Sequence, residues 1–259
     1  MDLVLGIDVG ASGVKGALVD VQQGRLQGER YRVPTPQPAT PEALGAAFAE
    51  VVAFFNYRGP VGCGFPAIVK DGVAWSAANI APGWIGTNVE DAFGRTCDAR
   101  VYATNDADAA GVAEMRYGAG RHEQGVVILI TIGTGLGSAL FYRGMLVPNT
   151  ELGHLLWKKN QPAEAFCSSA ARERAKISRT AWAKRFNQYL HHLERLFSPD
   201  LFILGGGESK YFDQYAEYLT TRARVVPAQL LNNAGIIGAA AYAVEQAGGG
   251  SLERATLSR

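Results

Sequence analysis

The fold is decided by the stretch Asp8-Val9-Gly10-Ala11-Ser12-Gly13-Val14-Lys15, where an acidic residue ends an apolar run and a small-residue turn leads to a lysine. Residues 3–8 and 14–20 predict two strands joined by this turn. Backbone N–H groups of the glycines can approach phosphate oxygens, Ser12 adds a donor and Lys15 can neutralise charge, while Asp8 can hold Mg²⁺ through water. An ordinary hairpin turn with a surface lysine explains the same residues equally well.

The start of the second strand is echoed later in the chain. Gly13-Val14-Lys15-Gly16-Ala17-Leu18 resembles Gly135-Leu136-Gly137-Ser138-Ala139-Leu140, and each follows an apolar strand and a glycine-containing turn. Two such units predict two similar lobes, although an echo this short also arises by chance.

Two further glycine turns are predicted. One contains Gly133, Thr134 and Gly135, and the other is Gly205-Gly206-Gly207 after a strand at residues 201–204. Three glycine turns after three strands indicate a nucleotide or polyphosphate site, although the Gly-Lys-Ser/Thr of a Walker A loop is missing.

The remaining pattern predicts alternating strands and helices, hence an α/β protein. Strands are predicted at residues 25–33, 61–65 and 100–104, with a helix from Pro41 capped by Thr40. A largely helical segment is predicted at residues 162–197. Polar residues follow the strand at 100–104, and ligands collect at the carboxyl ends of such strands.

Composition limits the possible partners. The 259 residues are 47% hydrophobic and carry a formal net charge of +1, so no overall field favours nucleic acid or an anionic membrane. No apolar run reaches the roughly 20 residues of a membrane span, and no signal peptide is recognisable, so a cytoplasmic protein without a membrane role is expected. Cys63, Cys97 and Cys167 fit reduced, mostly buried thiols.

Two short motifs could act on an alcohol substrate. In Asn105-Asp106-Ala107-Asp108, Asp106 suits a general base and Asn105 a sugar contact, although Asn and Asp also favour helix N-termini. Glu151 and His154, three residues apart, can contact adjacent sugar hydroxyls. The alternatives for His154 are a satisfied polar residue or a zinc ligand, but no Cys or His cluster follows, so no protein-bound metal site is predicted.

Taken together, the chain resembles the ROK family of sugar kinases and repressors, most closely its polyphosphate glucokinase branch. The likeness runs from about residue 3 to residue 243. The motifs that carry it are Gly6-Ile7-Asp8-Val9-Gly10, Lys15-Gly16-Ala17-Leu18-Val19-Asp20, Gly64-Phe65-Pro66-Ala67, Ala77-Ala78-Asn79-Ile80, Asn105-Asp106-Ala107-Asp108-Ala109-Ala110-Gly111, Gly133-Thr134-Gly135, Pro148-Asn149-Thr150-Glu151-Leu152-Gly153-His154, Phe197-Ser198-Pro199-Asp200, Gly205-Gly206-Gly207 and Asn232-Asn233-Ala234-Gly235.

The resemblance implies an actin-like ATPase (ribonuclease H-like) fold of two lobes with a central cleft. The expected lobes are residues 1–104 and 105–259, with a final helix at about 233–247 packed on the N-terminal lobe and a disordered tail at 248–259. It also implies a homodimer that phosphorylates the 6-hydroxyl of glucose with Mg²⁺ and with polyphosphate, ATP or both. Alternatives are a kinase for mannose or an N-acetylated sugar, a non-catalytic sugar-binding protein, and an actin-like ATPase.

Residue roles follow from the same resemblance. Asp106 is expected to be the general base. The expected sugar contacts are Gly64, Phe65, Pro66, Asn79, Asn105, Glu151 and His154. The expected phosphate and donor residues are Asp8, Gly10, Ser12, Gly13, Lys15, Gly133, Thr134, Gly135, Gly205, Gly206 and Gly207.

Several residues depart from the family pattern. Ala11 replaces a glycine, and Leu156 stands where an acidic residue is frequent. Glu208 follows the triple glycine where an uncharged residue is usual, which places negative charge near the donor and disfavours ATP. Arg172, Lys176 and Arg179 have helical spacing and predict a basic stripe that could bind polyphosphate, or else an ordinary solvated helix face.

Overall fold

The computed structural model describes residues 3–249 and divides into two compact units. Unit 1 comprises Met1–Ala113 together with Asn233–Arg259, of which residues 3–113 and 233–249 are described. Unit 2 comprises Glu114–Asn232. In sequence, unit 2 is therefore an insertion within unit 1.

The secondary structure alternates strands and helices, with short 3₁₀ turns between them. The strands are β1 (Leu3–Gly10), β2 (Gly13–Asp20), β3 (Arg25–Val33), β4 (Val61–Phe65), β5 (Val69–Lys70), β6 (Val73–Ala74), β7 (Val101–Asn105), β8 (Val126–Ile132), β9 (Leu136–Tyr142), β10 (Met145–Val147), β11 (Leu201–Gly206) and β12 (Arg224–Pro227). The helices are α1 (Pro41–Phe54), α2 (Val89–Cys97), α3 (Asp106–Tyr117), α4 (Glu164–Cys167), α5 (Ser169–Arg174), α6 (Arg179–Phe197) and α7 (Ala234–Gly249).

Unit 1 contains a five-stranded sheet in the order β3-β2-β1-β4-β7. The first three strands pair antiparallel, whereas β4 is parallel to both β1 and β7. The register pairs Asp8 with Lys15 on β2 and with Gly64 on β4, and it pairs Phe65 with Asn105 on β7. The sheet therefore brings predicted site residues of four strands, β1, β2, β4 and β7, close together at one end.

Unit 2 contains a second five-stranded sheet, in the order β10-β9-β8-β11-β12. Its first three strands are antiparallel, and β11 is parallel to both β8 and β12. The second sheet therefore repeats the strand order and directions of the first. The two echoed segments lead into β2 and β9, which hold the same place in the two sheets, as the echo predicts.

Each sheet has its own apolar core. In unit 1 the rings of Phe48 and Phe93 stack at a centroid distance of 4.3 Å, and Phe65 and Trp84 pack edge-on beside them. In unit 2 one face of α6 lies against β8 and β11. The residues of that face recur at helical spacing, as predicted, and the buried ones are Trp182, Ala183, Phe186, Tyr189, Leu190, Leu193 and Glu194.

The last helix packs onto unit 1 with backbone touching backbone. A Cβ atom at Gly62 would lie 1.9 Å from the carbonyl oxygen of Ala239, and one at Gly238 would lie 1.6 Å from that of Ala109. Because α7 also contacts the first turns of α3, the division falls within α3 rather than at residues 104 and 105, where it was predicted. The disordered tail was expected to begin at residue 248, but α7 continues to Gly249. Residues 250–259 lie outside the described part of the chain.

The predicted helical segment at 162–197 is three separate helices, α4, α5 and α6. Ser168 and Ser178 cap the starts of α5 and α6, each accepting a hydrogen bond from a backbone N–H three residues on. Between them Lys176 has a φ of 49°, which no α-helix accommodates. The stripe of Arg172, Lys176 and Arg179 on one continuous helix was therefore a wrong prediction. Within residues 3–249, every helix is too short or too polar to cross a membrane.

Candidate active site

The first part of the site is the Gly10–Gly13 turn at the end of β1. The Lys15 amine lies 3.6 Å from the Asp8 carboxylate. Burial raises the pKa of Asp8, and the adjacent Lys15 charge opposes that rise. The carboxylate and the amine, predicted separately at this turn, therefore lie next to each other.

Arg32 on β3 adds a second cation that sequence reasoning missed. Its guanidinium donates to the carbonyl oxygen of Ser12, and β3 places Arg32 opposite Lys15 in the register. On the other side, the Thr35 hydroxyl donates to the Gly10 carbonyl oxygen at 2.5 Å. The sequence does place Arg32 on the strand that follows β2. That position points to the turn only when the pairing of Arg32 with Lys15 is known. The turn thus carries two cations and one anion.

Asn105 ends β7 and caps α3. Its Oδ1 accepts hydrogen bonds from the N–H groups of Ala107 (2.9 Å) and Asp108 (3.2 Å), and its Nδ2 donates to the Ala67 carbonyl oxygen at 3.1 Å. The capping alternative is therefore correct for Asn105. Since a primary amide has two N–H donors, one N–H remains for a ligand.

Asp106 is the first residue of α3 and is half-buried. The Ala107 N–H donates to its Oδ1 at 2.8 Å, which orients the carboxylate. The Cα atom of Asp106 and the Oδ1 atom of Asp8 both lie within 4 Å of the point that a Cβ atom on Gly64 would occupy. Unit 1 therefore places the predicted base and the predicted phosphate turn close to each other beside Gly64.

The other predicted sugar contacts of unit 1 differ in accessibility. The Phe65 ring is 0% exposed and lies 4.7 Å from the ring of Trp84, so only its backbone can meet a ligand. The expected contact between Phe65 and the sugar stays a prediction for its backbone, since the ring belongs to the core. Pro66 is half-buried, and Asn79 is exposed in the loop that follows the β5–β6 hairpin.

In unit 2 the predicted Glu151 and His154 are joined by Glu164. The imidazole of His154 lies 3.6 Å from Glu151 and 3.7 Å from Glu164. Burial raises the pKa of Glu151; His154 lowers that pKa and Glu164 raises it. Glu164 also accepts the Leu136 N–H at 3.2 Å. Sequence reasoning missed Glu164. The only local signal was that this acidic residue follows Pro162 and Ala163 at the start of a predicted helical segment.

The two glycine turns of unit 2 lie side by side. The Ser169 N–H donates to the Gly133 carbonyl oxygen at 2.9 Å, and the Gly133 N–H donates to that of Gly135 at 3.1 Å. Gly206 has a φ of +76°, and a Cβ atom there would lie 2.5 Å from the Ile132 carbonyl oxygen. Since Gly206 pairs with Ile132 in the sheet, the second and third predicted turns are neighbours.

Glu208, which follows the triple glycine, is buried and paired rather than a bare negative charge. Its carboxylate lies 3.3 Å from Arg172 and 2.9 Å from Arg179. The expected local negative charge at this position was therefore wrong, because two guanidinium groups outnumber one carboxylate.

In the described part of the chain, no three His, Cys, Asp or Glu side chains converge on a point that could hold a metal ion. A cavity of about 530 Å³ opens between the ends of α1 and α2. Its walls include Val52, Tyr57 and Arg95 and contain none of the predicted site residues.

Comparison with known proteins places these features in context. The model of the ROK family matches residues 4–195. A polyphosphate glucokinase of Mycobacterium tuberculosis is 48% identical over 240 residues, which cover 92% of this chain and 90% of that protein. The crystal structure of an inorganic polyphosphate/ATP-glucomannokinase from Arthrobacter sp. strain KM is 47% identical, with a TM-score of 0.91 and coverage of 95% of this chain and 100% of that one. A ROK family glucokinase from Streptomyces griseus, solved with glucose and AMPPNP, is 26% identical with a TM-score of 0.78, covering 92% and 98% of the two chains.

Proposed function

Because the chain belongs to the ROK family, whose model matches most of its length, we propose that it is a glucokinase. It transfers a phosphoryl group from polyphosphate or ATP to the 6-hydroxyl of glucose. The observation that carries the proposal is the placement of Asp106 and of the Asp8–Lys15 turn beside the same residue, Gly64. The 48% identity to a polyphosphate glucokinase supports the choice of acceptor and donor.

Asp106 acts as the general base. A carboxylate within hydrogen-bond reach of the attacking hydroxyl can accept its proton during phosphoryl transfer. The hydrogen bond from the Ala107 N–H keeps the carboxylate in one orientation while the phosphoryl group is transferred. Phosphoryl transfer depends mainly on such positioning and on charge stabilisation.

The sugar is held by carboxylates, an imidazole and amides. Glu151, His154 and Glu164 form a chain of acceptors and donors of the kind that orients adjacent hydroxyls. In unit 1, the remaining N–H of the Asn105 amide and the exposed amide of Asn79 are further groups that suit sugar hydroxyls. We assign Gly64 and Pro66 backbone or packing contacts beside the 6-hydroxyl.

Each unit offers groups that suit donor phosphates. Lys15 and Arg32 serve the first turn, and the backbone at Gly133, Thr134, Gly135 and Gly205–Gly207 serves the other two. The Asp8 carboxylate fits Mg²⁺, which prefers one or two carboxylates together with water and phosphate oxygens. Asp8 would hold the ion through water, and bound Mg²⁺ supplies charge neutralisation on the phosphates.

Location and assembly are part of the same proposal. We place the enzyme in the cytoplasm, where its three free thiols stay reduced. Burial raises the pKa of Cys167 to about 12, so this thiol is protonated and unreactive. We expect a homodimer, which light scattering after size-exclusion chromatography measures directly.

One assay matrix tests the activity. Glucose, mannose, fructose and N-acetylglucosamine are each incubated with ATP and with polyphosphate, and the sugar phosphate is measured directly. Glucose 6-phosphate formed from polyphosphate is the expected product. Mannose is the second acceptor to test, since the Arthrobacter relative is a glucomannokinase. Release of phosphate without any sugar phosphate would contradict the proposal and favour an ATPase.

A further inference from the structure

The Glu208 carboxylate is the centre of a buried polar cluster in unit 2. Its side chain is 5% exposed. One oxygen accepts from the Arg172 guanidinium at 3.3 Å and from the Ser169 hydroxyl at 3.5 Å, and the other accepts from Arg179 Nε at 2.9 Å. A carboxylate so far from water depends on these partners for its charge.

The two arginines are held in different ways. Arg179 also donates to the Gln214 side chain at 2.8 Å, and its guanidinium lies 3.9 Å above the ring of Tyr211. Within residues 3–249, the buried Nε of Arg172 has no hydrogen-bond partner. The side chains are 20% exposed for Arg172 and 22% for Arg179, so each presents part of its surface to solvent.

The cluster has an excess of positive charge. Two guanidinium groups face one carboxylate. Glu173 lies 3.7 Å from Arg172 but its side chain is 70% exposed, where an ion pair is weak. A guanidinium matches phosphate oxygens in both shape and charge.

The same carboxylate is tied to both glycine turns of unit 2. Ser169, which donates its hydroxyl to Glu208, also donates its backbone N–H to the Gly133 carbonyl oxygen. Glu208 itself lies two residues after Gly206, which pairs with Ile132 at the start of the other turn. Glu208 therefore links the two arginines to the backbone of both glycine turns.

We propose that Glu208 is a positioning residue for the phosphoryl donor, holding Arg172 and Arg179 beside the glycine turns so that they bind a linear polyphosphate. The inference deepens the proposed function and rests on it. Glu208 does not touch the donor. It acts through the two arginines, whose remaining N–H groups bind phosphate oxygens.

The test compares Glu208→Gln with Glu173→Gln, a matched change on the exposed neighbour of Arg172. Polyphosphate of defined chain length is the probe, and its Kd is measured by fluorescence anisotropy, which requires no turnover. Loss of the charged hydrogen bonds in Glu208→Gln should weaken binding about tenfold and raise the donor KM to match, while kcat and the glucose KM stay within about twofold. Glu173→Gln should resemble the wild type.

A second pair of variants separates positioning from folding. Arg179→Lys keeps the charge but loses the Nε donor, so it should also raise the polyphosphate Kd. In an Arg179→Ala background, adding Glu208→Gln should weaken binding much less than it does in the wild type, because the two act together. Melting temperatures are measured for every variant.

Two results would overturn the inference. One is an unchanged polyphosphate Kd in folded Glu208→Gln or Arg179→Lys protein. The other is an equal loss of kcat, glucose KM and donor KM that follows the melting temperature, which would mark a purely structural residue. Failure of the proposed function looks different: the wild type would bind polyphosphate yet form no sugar phosphate.

Discussion

The two sheets share their strand order and directions but prepare for an anion in different ways. In unit 1 the hairpin turn is flanked by side-chain charges, namely Asp8, Lys15 and Arg32. In unit 2 the corresponding turn at 133–135 is uncharged, and its backbone is held from outside by Ser169 and Glu164. A repeated backbone thus carries side-chain charges at the turn of one unit and only backbone polar groups at the turn of the other.

The strand ends differ as well. In unit 1, β7 leads into Asn105 and Asp106, whereas β12, in the same place in unit 2, ends at Pro227 and is followed by Ala228. Of the corresponding strands β7 and β12, only β7 is followed by the proposed base. The following experiments test this difference between the two units.

The largest effect is expected from Asp106→Asn. The substitution removes the proton acceptor while keeping the size of the side chain, so kcat for glucose phosphorylation should fall about a hundred- to ten-thousandfold. Asp91→Asn, in the exposed first turn of α2 of the same unit, is the control and should retain wild-type kcat. Near-normal turnover in Asp106→Asn would refute the assignment of the base.

The next effect is expected at the end of β11, where two neighbouring glycines differ. Gly206→Ala combines a positive φ with a Cβ atom 2.5 Å from the Ile132 carbonyl oxygen, so the free energy of unfolding should fall by about 3 kcal/mol. At Gly207 a Cβ atom meets nothing within 4 Å, so Gly207→Ala should be far milder. Urea denaturation measures both, and equal stabilities would show that the Gly206 conformation is not required.

A smaller effect is expected at Glu164, which unit 2 uses to hold both its turn and His154. Glu164→Gln weakens a charged contact to His154 and to the Leu136 N–H, so the glucose KM should rise about tenfold. Glu173→Gln is again the control. If instead only the donor KM rises, Glu164 serves the glycine turn alone and its assignment to the sugar is wrong.

The smallest effect is expected in the pH dependence of kcat/KM for the donor, and it should arise only from the charged turn of unit 1. Lys15 opposes the burial that raises the pKa of Asp8, so Lys15→Met should raise that pKa further. Asp8 would then be protonated at higher pH, and the acid limb of kcat/KM for the donor should move upward. Lys70→Met on the β5–β6 hairpin controls for loss of a surface charge, and an unmoved acid limb in Lys15→Met would exclude Asp8 as its origin.

The sequence was informative where the signal is local. The strands around the first turn, the Thr40 cap and the apolar face of α6 follow from residue periodicity and turn residues, and they agree with the structure within a few residues. The duplication was visible in six residues because the glycine turn and the strand that follows have the same local requirements in both sheets.

Contacts between distant segments were not predictable in the same way. Arg32 reaches the first turn only through the register of β2 and β3, and Glu208 meets Arg172 and Arg179 across more than 25 residues of chain. The broken helix at Lys176 did have a local signal, since Ser168 and Ser178 are both N-caps, but the regular spacing of the basic residues hid it. The burial of the Phe65 ring was likewise not predictable, because a motif shows which residues are present and not which way they face.

The close packing of α7 has a consequence for synthesis on the ribosome. The segment that fills the groove beside Gly62 is translated only after the whole of unit 2 has been made. We therefore expect unit 2 to become protease-resistant first in stalled nascent chains. The sheet of unit 1 should stay uncovered on one face until α7 has been made. Chains stalled before residue 234 should remain cleavable within β4, and release of the full chain should remove that sensitivity.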